Sequence, residues 1–400
     1  MKTIKKPRVL ITYVESGMGH IVTAKAIYDA LSSNYGDNLD IVEKHILRDS
    51  ENKILRDFEV YLTDEVRKHS VLPGYCALQL SAMHIIGAKN ALNFVHSTVF
   101  RSKTKALIDE YKKISPDVIV CTHYFTLHVA VKYRDKYAKN VIVINYCPDN
   151  NVHGWWDNRA DRFYTNNPLA TKDARKNKFK DEQLLEVFYP TRGSVTAVTE
   201  SKSFYREKFG INQNDFAIVI SNGLYAGKKT KKICNEIFKS DFPITLCILA
   251  GHDKEIKDYF DNLIGNTKSN ITIKTFGYME NAPELYAACD LFITKGGPNA
   301  ILDSVMVNTP ILVDFCASPI EEKTTELFVC EKNCGFYIKN AKKIREKIED
   351  LIKNPDLLEP LKDNMKFFDK NKNGAVDIAN DIMDIISSKV SITENTEILI

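Results

Sequence analysis

Two patterns of apolar residues alternate along the chain: short unbroken runs bounded by turn residues, and longer stretches with an apolar residue every third or fourth position. The first pattern predicts buried strands and the second amphipathic helices. In the first half strands are predicted at Val9–Tyr13, Leu39–Glu43, Val118–Thr122 and Val141–Asn145, with helices such as Val22–Ser32 and Ser102–Lys113 between them and a turn at Ser115-Pro116-Asp117. In the second half they are predicted at Ala217–Ser221, Ile244–Ala250, Ile271–Thr275, Leu291–Thr294 and Pro310–Val313, again separated by helices. Alternation of this kind predicts doubly wound α/β domains with parallel sheets. From Tyr189-Pro190-Thr191-Arg192-Gly193 to Gln213-Asn214-Asp215 the chain carries turn signals around one short helix, which marks a domain boundary. The expected fold is α/β, two doubly wound Rossmann-like domains facing a cleft, with domains at 1–192 and 193–370. A helix at 371–390 follows, expected to pack back on the first domain, and then a loosely held tail at 391–400.

Length agrees with two domains, because 400 residues exceed the roughly 250–300 that one core usually serves. The net charge of +3 is too small to predict nucleic-acid binding, so no such partner is expected. Nine cysteines are scattered without paired metal spacing, and Cys121, Cys247 and Cys289 lie in or beside apolar runs, where a thiol acts as a small hydrophobe. Cys330 and Cys334 are close together, but no second Cys or His pair follows to complete a zinc site. Reduced thiols suit a cytoplasmic protein. The stretch Met1 to Pro7 is basic and leads into the first strand without a signal-peptide apolar region, so export is not expected.

No apolar run reaches the roughly 20 residues needed to span a bilayer. Tyr75 to His96 comes nearest, but Gln79, His84, Lys89 and Asn90 interrupt it and its apolar residues recur at helical spacing. It is either a core helix of the first domain or a surface that dips into lipid. Arg67, Lys68, Arg101, Lys103 and Lys105 flank it, and apolar surface with cations around it is what an anionic membrane surface binds.

The most informative chemistry lies in the second half. A strand ending at Ile293 runs into Thr294-Lys295-Gly296-Gly297-Pro298-Asn299, then a helix ending near Asn308 and another strand. Backbone N–H groups at such a helix start can hold a diphosphate, and Asp303, about two turns on, can reach ribose hydroxyls. Together they suggest a nucleotide-sugar site. Ser221 to Gly227 repeats the arrangement of strand, glycine loop and basic helix; it is either a second phosphate loop or an ordinary turn before a solvated lysine-rich helix. In the first half, Gly17-Met18-Gly19-His20 opens a helix directly after a strand. It lacks the third glycine of a dinucleotide fingerprint. His20 is either a base kept neutral by the helix dipole or a residue that merely caps the turn. No Asp-x-Asp motif is present, so nothing calls for a metal or another cofactor. Asp369-Lys370-Asn371-Lys372-Asn373-Gly374 has several positions of a calcium loop, but Asn380 replaces the bidentate Glu; Asn373 is better read as the cap of a helix from Ala375 to Ser387.

A set of motifs resembles the GT-B glycosyltransferases that include monogalactosyldiacylglycerol synthases, processive diacylglycerol glucosyltransferases and the N-acetylglucosaminyltransferase of peptidoglycan synthesis. They are Gly17 to His20, Ser115 to His123, Cys147-Pro148-Asp149 with Trp155-Trp156, Pro190-Thr191-Arg192, Phe276-Gly277-Tyr278-Met279, Ala288 to Pro298, and Ser318-Pro319-Ile320-Glu321-Glu322. They keep the family's order from about residue 9 to about residue 340, and Thr294-Lys295 with Gly297-Pro298 resembles the diacylglycerol branch.

The resemblance implies a first domain that binds a lipid acceptor and faces the membrane, and a second that binds a UDP-sugar. It makes His20 the candidate general base, and it places Gly17, Gly19, Trp155, Trp156 and Arg192 on the acceptor side. On the donor side it places Tyr278 and Met279 by the uracil, Gly223, Lys295, Gly296, Gly297, Pro298 and Asn299 by the diphosphate, Asp303 at the ribose and Glu321 and Glu322 by the sugar hydroxyls. Asp303 stands where the family has Glu, one methylene longer. The implied reaction moves a hexose from UDP-galactose or UDP-glucose to diacylglycerol or a related lipid, with inversion, on the inner face of the cell membrane. Two other readings stay open: the same donor chemistry on a polyprenyl-linked or sterol acceptor, and a nucleotide-sugar 2-epimerase of the same architecture.

Overall fold

The computed structural model describes residues 6–15, 18–71, 98, 100–221, 227–268, 270–316 and 319–397. The stretch from Tyr75 to His96 therefore lies outside the described residues. The described residues form two compact units, one within 6–70, 98–192 and 372–397, the other of Val71 and residues within 193–371.

The sheet of the first unit has six strands, β1 (Arg8–Tyr13), β2 (Asp40–His45), β3 (Val118–Cys121), β4 (Ile142–Tyr146), β5 (Arg162–Thr165) and β6 (Leu184–Glu186). Their order is β2-β1-β3-β4-β5-β6 and every pairing is parallel. Strands β1, β3 and β4 read as continuous β-branched and apolar runs because helices cover both of their faces. In register, Val9 faces Val118 and Thr12 faces Cys121, so the chain leaving β1 and the chain leaving β3 emerge side by side. That neighbourhood is where ligands bind in open α/β sheets.

The helix Gly374–Glu397 returns to this unit. Its Ala375, Ile378, Ala379, Ile382 and Ile386 pack with Ala24, Ile27 and Leu31 of the helix Met18–Tyr35. Asn373 caps it as expected: its Oδ1 accepts the Ala375 N–H at 3.0 Å and also the Thr191 N–H at 2.9 Å. Gly374 allows the approach, since a Cβ there would lie 1.7 Å from the Phe188 carbonyl oxygen. The helix continues past Ser391, where a loose tail was expected.

The second unit repeats the plan with β7 (Phe216–Ser221), β8 (Ile244–Leu249), β9 (Ile271–Phe276), β10 (Leu291–Thr294), β11 (Ile311–Val313) and β12 (Gly335–Tyr337). Their order is β12-β11-β10-β7-β8-β9, also parallel throughout. Pairing of Thr294 with Ser221 sets the turn after β10 beside the end of β7. Beneath it, Asp290 binds the Arg206 guanidinium at 2.6 Å and the Ala217 N–H at 2.7 Å, which ties the helix Lys202–Lys208 to the sheet.

Candidate active site

The candidate residues of the first unit gather where β1 and β3 end. The helix Met18–Tyr35 starts there, and His20 lies partly buried in its first turn. The His20 Nδ1 is 2.5 Å from the Thr122 carbonyl oxygen, and the Thr122 hydroxyl donates back to the His20 carbonyl at 2.9 Å. A carbonyl can only accept, so the proton sits on Nδ1 and the lone pair on Nε2. Loss of hydration pushes the His20 pKa down to about 4, with the Thr122 carbonyl pulling the other way. His20 is therefore neutral at pH 7, the form a general base requires. Gly19 gives its carbonyl to the Thr23 hydroxyl at 2.7 Å, which tightens the same turn.

Aromatic rings continue from His20. His123 meets it edge to face with centroids 4.7 Å apart, Tyr124 lies 4.2 Å from His123, and Tyr124 in turn contacts His153, Trp155 and Trp156 at 5.5, 5.4 and 6.2 Å. Of the two tryptophans, Trp155 keeps some surface; Trp156 is 3% exposed and packs on Phe163, so it belongs to the core and can only support the wall. Behind the wall, burial alone would raise the Asp157 pKa, but bonds from His128 and Arg159 hold it below the carboxylate range. Arg192 is the last residue of the first unit before the chain enters the second, and Gly17 lies outside the described residues. Thr122 and His123 entered the sequence reading only as the end of the strand Val118–Thr122 and of the Ser115 to His123 motif, and Tyr124 not at all; the signal was a polar pair, Thr-His, closing an otherwise apolar strand.

Among the described residues one trio, Glu15, His45 and Glu59, brings an imidazole nitrogen and carboxylate oxygens within 4.8 Å of one another. The Arg48 N–H points at the His45 Nδ1 at 3.4 Å, which leaves the ring proton on Nε2, 3.3 Å from Glu59 Oε1. Burial pushes the Glu59 carboxyl up to about 7 and the His45 imidazole down to about 4.

The candidate donor residues of the second unit lie around the turn after β10, where the backbone N–H groups of the two glycines already have partners. The Gly296 N–H is spent on the Phe315 carbonyl at 3.0 Å and the Gly297 N–H on the Lys295 carbonyl at 2.7 Å, while Pro298 has none to give. The first helical bond runs from the Ile301 N–H to the Gly297 carbonyl, so Asn299 and Ala300 are the residues whose N–H groups precede it. The glycine at 296 serves packing instead. A Cβ there would lie 2.7 Å from the Glu321 carbonyl oxygen and the Thr325 hydroxyl, and 2.9 Å from the Cys316 sulfur.

The Lys295 ammonium is not a bare cation, because it binds Glu321 Oε1 at 2.8 Å; Glu321 is buried and Glu322 exposed. Asp303 is buried on the helix Pro298–Met306, which Asn308 ends with a left-handed φ of 61°. After β9, Tyr278 is exposed and stacks flat on His252 with centroids 4.8 Å apart; Met279 beside it is partly buried. Gly223 lies outside the described residues. Sequence reasoning missed the pair formed by Lys229 and Asp314. The Lys229 Nζ donates to the Asp314 carbonyl at 2.6 Å and lies 3.5 Å from its carboxylate, which burial pushes up to about 7 against the pull of Lys229.

Residues 20–188 match the family model of monogalactosyldiacylglycerol (MGDG) synthase and residues 201–367 that of glycosyl transferases group 1. The chain belongs to the GT-B glycosyltransferases. It is 23% identical over 368 residues to the processive diacylglycerol beta-glucosyltransferase of Bacillus pumilus, covering 92% of this chain and 91% of that one. To monogalactosyldiacylglycerol synthase 3, chloroplastic, of Arabidopsis thaliana it is 23% identical over 364 residues, with 86% and 74% covered. The fold is shared with MurG of Acinetobacter baumannii, TM-score 0.59 at 11% identity, covering 95% of this chain and all of that one. It is equally shared with UDP-GlcNAc 2-epimerase from Neisseria meningitidis, TM-score 0.59 at 12% identity, with 94% and 100% covered. Architecture alone therefore does not separate transfer from epimerisation.

Proposed function

We propose that this GT-B glycosyltransferase moves galactose or glucose from its UDP carrier to diacylglycerol or a closely related lipid at an anionic membrane surface, inverting the anomeric centre. The observation that carries the reading is the neutral His20, with its lone pair fixed on Nε2 inside the region that matches the MGDG synthase model. Attack by an alcohol needs a base for the hydroxyl proton and stabilisation of the charge that grows on the departing UDP. His20 supplies the first. For the second, the N–H groups of Asn299 and Ala300 at the start of the helix Pro298–Met306 and the positive end of its dipole suit a diphosphate. In this reading Asp303 takes the ribose, the exposed Tyr278 and the partly buried Met279 take the uracil, and the Lys295–Glu321 pair with Glu322 takes the sugar hydroxyls. The relatives include both a glucosyl and a galactosyl enzyme, so the proposal covers both sugars. No helix among the described residues is long and apolar enough to cross a membrane. A peripheral placement on the inner face is proposed with the acceptor, resting on the basic flanks of the Tyr75 to His96 stretch.

The test is incubation with radiolabelled UDP-galactose or UDP-glucose and diacylglycerol in mixed micelles. Label in the lipid phase is the expected result. Label that remains in water as an epimerised nucleotide sugar, or no turnover with either donor, contradicts the proposal.

A further inference from the structure

We infer that Thr122 and His123, the dipeptide that leaves β3, position the base, and that a backbone carbonyl does the orienting work for which other imidazole bases use a carboxylate. The inference rests on the reading of His20 as the base. An imidazole is useful only when the correct nitrogen carries the lone pair and the ring plane is held, and a third group normally fixes both. Here Thr122 acts on His20 twice. Its carbonyl oxygen, 2.5 Å from Nδ1, selects the tautomer, and its hydroxyl, bonded to the His20 carbonyl at 2.9 Å, holds the backbone that carries the ring. The two bonds link residues 102 positions apart, and parallel register between Thr12 and Cys121 makes that possible.

His123 restrains the remaining freedom, rotation of the ring. It is fully buried and lies edge to face against His20, with an interplanar angle of 77°. It is itself fixed because its Nδ1 accepts the Phe125 N–H at 3.2 Å, capping the helix Tyr124–Tyr137. The His123 proton therefore resides on Nε2, a buried atom with no hydrogen-bond partner among the described residues. An unspent N–H donor thus sits on the ring that abuts the base. A carbonyl carries only a partial charge, so it orients His20 without favouring the imidazolium as a full carboxylate would.

Steady-state kinetics of the full chain with the micellar lipid acceptor test the inference through Thr122→Val, Thr122→Ser, His123→Asn and His20→Ala. Valine removes the hydroxyl bond at nearly constant volume, serine keeps it, and asparagine retains a cap for Phe125 while removing the ring. For Thr122→Val and His123→Asn we expect kcat to fall about tenfold with little change in KM for the UDP-sugar, the signature of a misplaced reacting group. Thr122→Ser should recover most of the loss. In His123→Asn the acid limb of the pH profile should move up toward that of free imidazole as water reaches His20. Nitrogen-15 spectra of the imidazoles should show His20 protonated at Nδ1 in the wild type. Wild-type kcat and an unchanged pH profile in both Thr122→Val and His123→Asn, with His20→Ala inactive, would overturn the inference and leave the base reading intact. An active His20→Ala would remove the base reading, and the inference with it.

Discussion

A histidine held by a carbonyl titrates differently from one held by a carboxylate. With no full negative charge beside it and little water around it, His20 sits at about 4, below the 6.5 of an ordinary imidazole. A base works in its neutral form, so activity is complete above its pKa and is lost as pH falls through it. The acid limb of kcat/KM should therefore be flat through pH 6.5 and bend only toward about 4; a half-maximal point near 6.5 would show that another group, or a solvated His20, governs the rate. His20→Ala itself should lower kcat by about 10²- to 10⁴-fold, the usual contribution of a positioned base, and leave UDP affinity largely unchanged. Asp303, proposed for the donor side, should behave the opposite way. Asp303→Ala is expected to weaken UDP by about 1–3 kcal/mol in calorimetry, the scale of a hydrogen bond involving a charged group. Unchanged UDP affinity would remove Asp303 from the ribose site.

At the scale of elements, close approach decides which positions must be glycine. Gly296 meets the Glu321 carbonyl and Gly374 meets the Phe188 carbonyl, in both cases backbone atoms that cannot swing aside. Gly374→Ala should lower stability by about 1–3 kcal/mol, the range for overpacking, because the added methyl presses the C-terminal helix off the first unit. An unchanged melting temperature would contradict that docking. Such contacts cannot be read from periodicity, since they depend on a partner far along the chain. The same reason hid β5, β6 and β12. Leu184–Glu186 and Gly335–Tyr337 have three residues each, too few for a period to register, and are strands because a neighbour supplies the pairing. The long apolar strands and the amphipathic helices were legible because burial on a sheet face fixes their pattern locally. Within the site, the glycine turn and His20 stood out as motifs. The tautomer at His20, the spent N–H groups of Gly296 and Gly297 and the pairing of Lys295 with Glu321 did not, because each is set by a tertiary bond.

At the scale of the whole molecule, the proposed chemistry draws on residues of both units. The first carries His20 and a cluster of aromatic rings, and the second carries the start of the helix Pro298–Met306, the buried Asp303 and the exposed Tyr278. A net charge of only +3 does not by itself hold the protein on a membrane, so the proposed surface binding rests on local cations and a lipid acceptor. Salt should then weaken activity on vesicles containing anionic lipid more than on uncharged micelles, because exposed charges are screened beyond about 8 Å at physiological ionic strength. Equal salt sensitivity in the two would argue against an electrostatic membrane contact. The central claim, that hexose passes from UDP to a diacylglycerol-type lipid, is tested most directly by transfer of label from radiolabelled UDP-galactose or UDP-glucose into the lipid phase of mixed micelles, run beside His20→Ala. The expected result is a labelled glycolipid from the wild type with at least one donor and loss of that product in His20→Ala; label confined to water-soluble nucleotide sugar with both donors would contradict the claim.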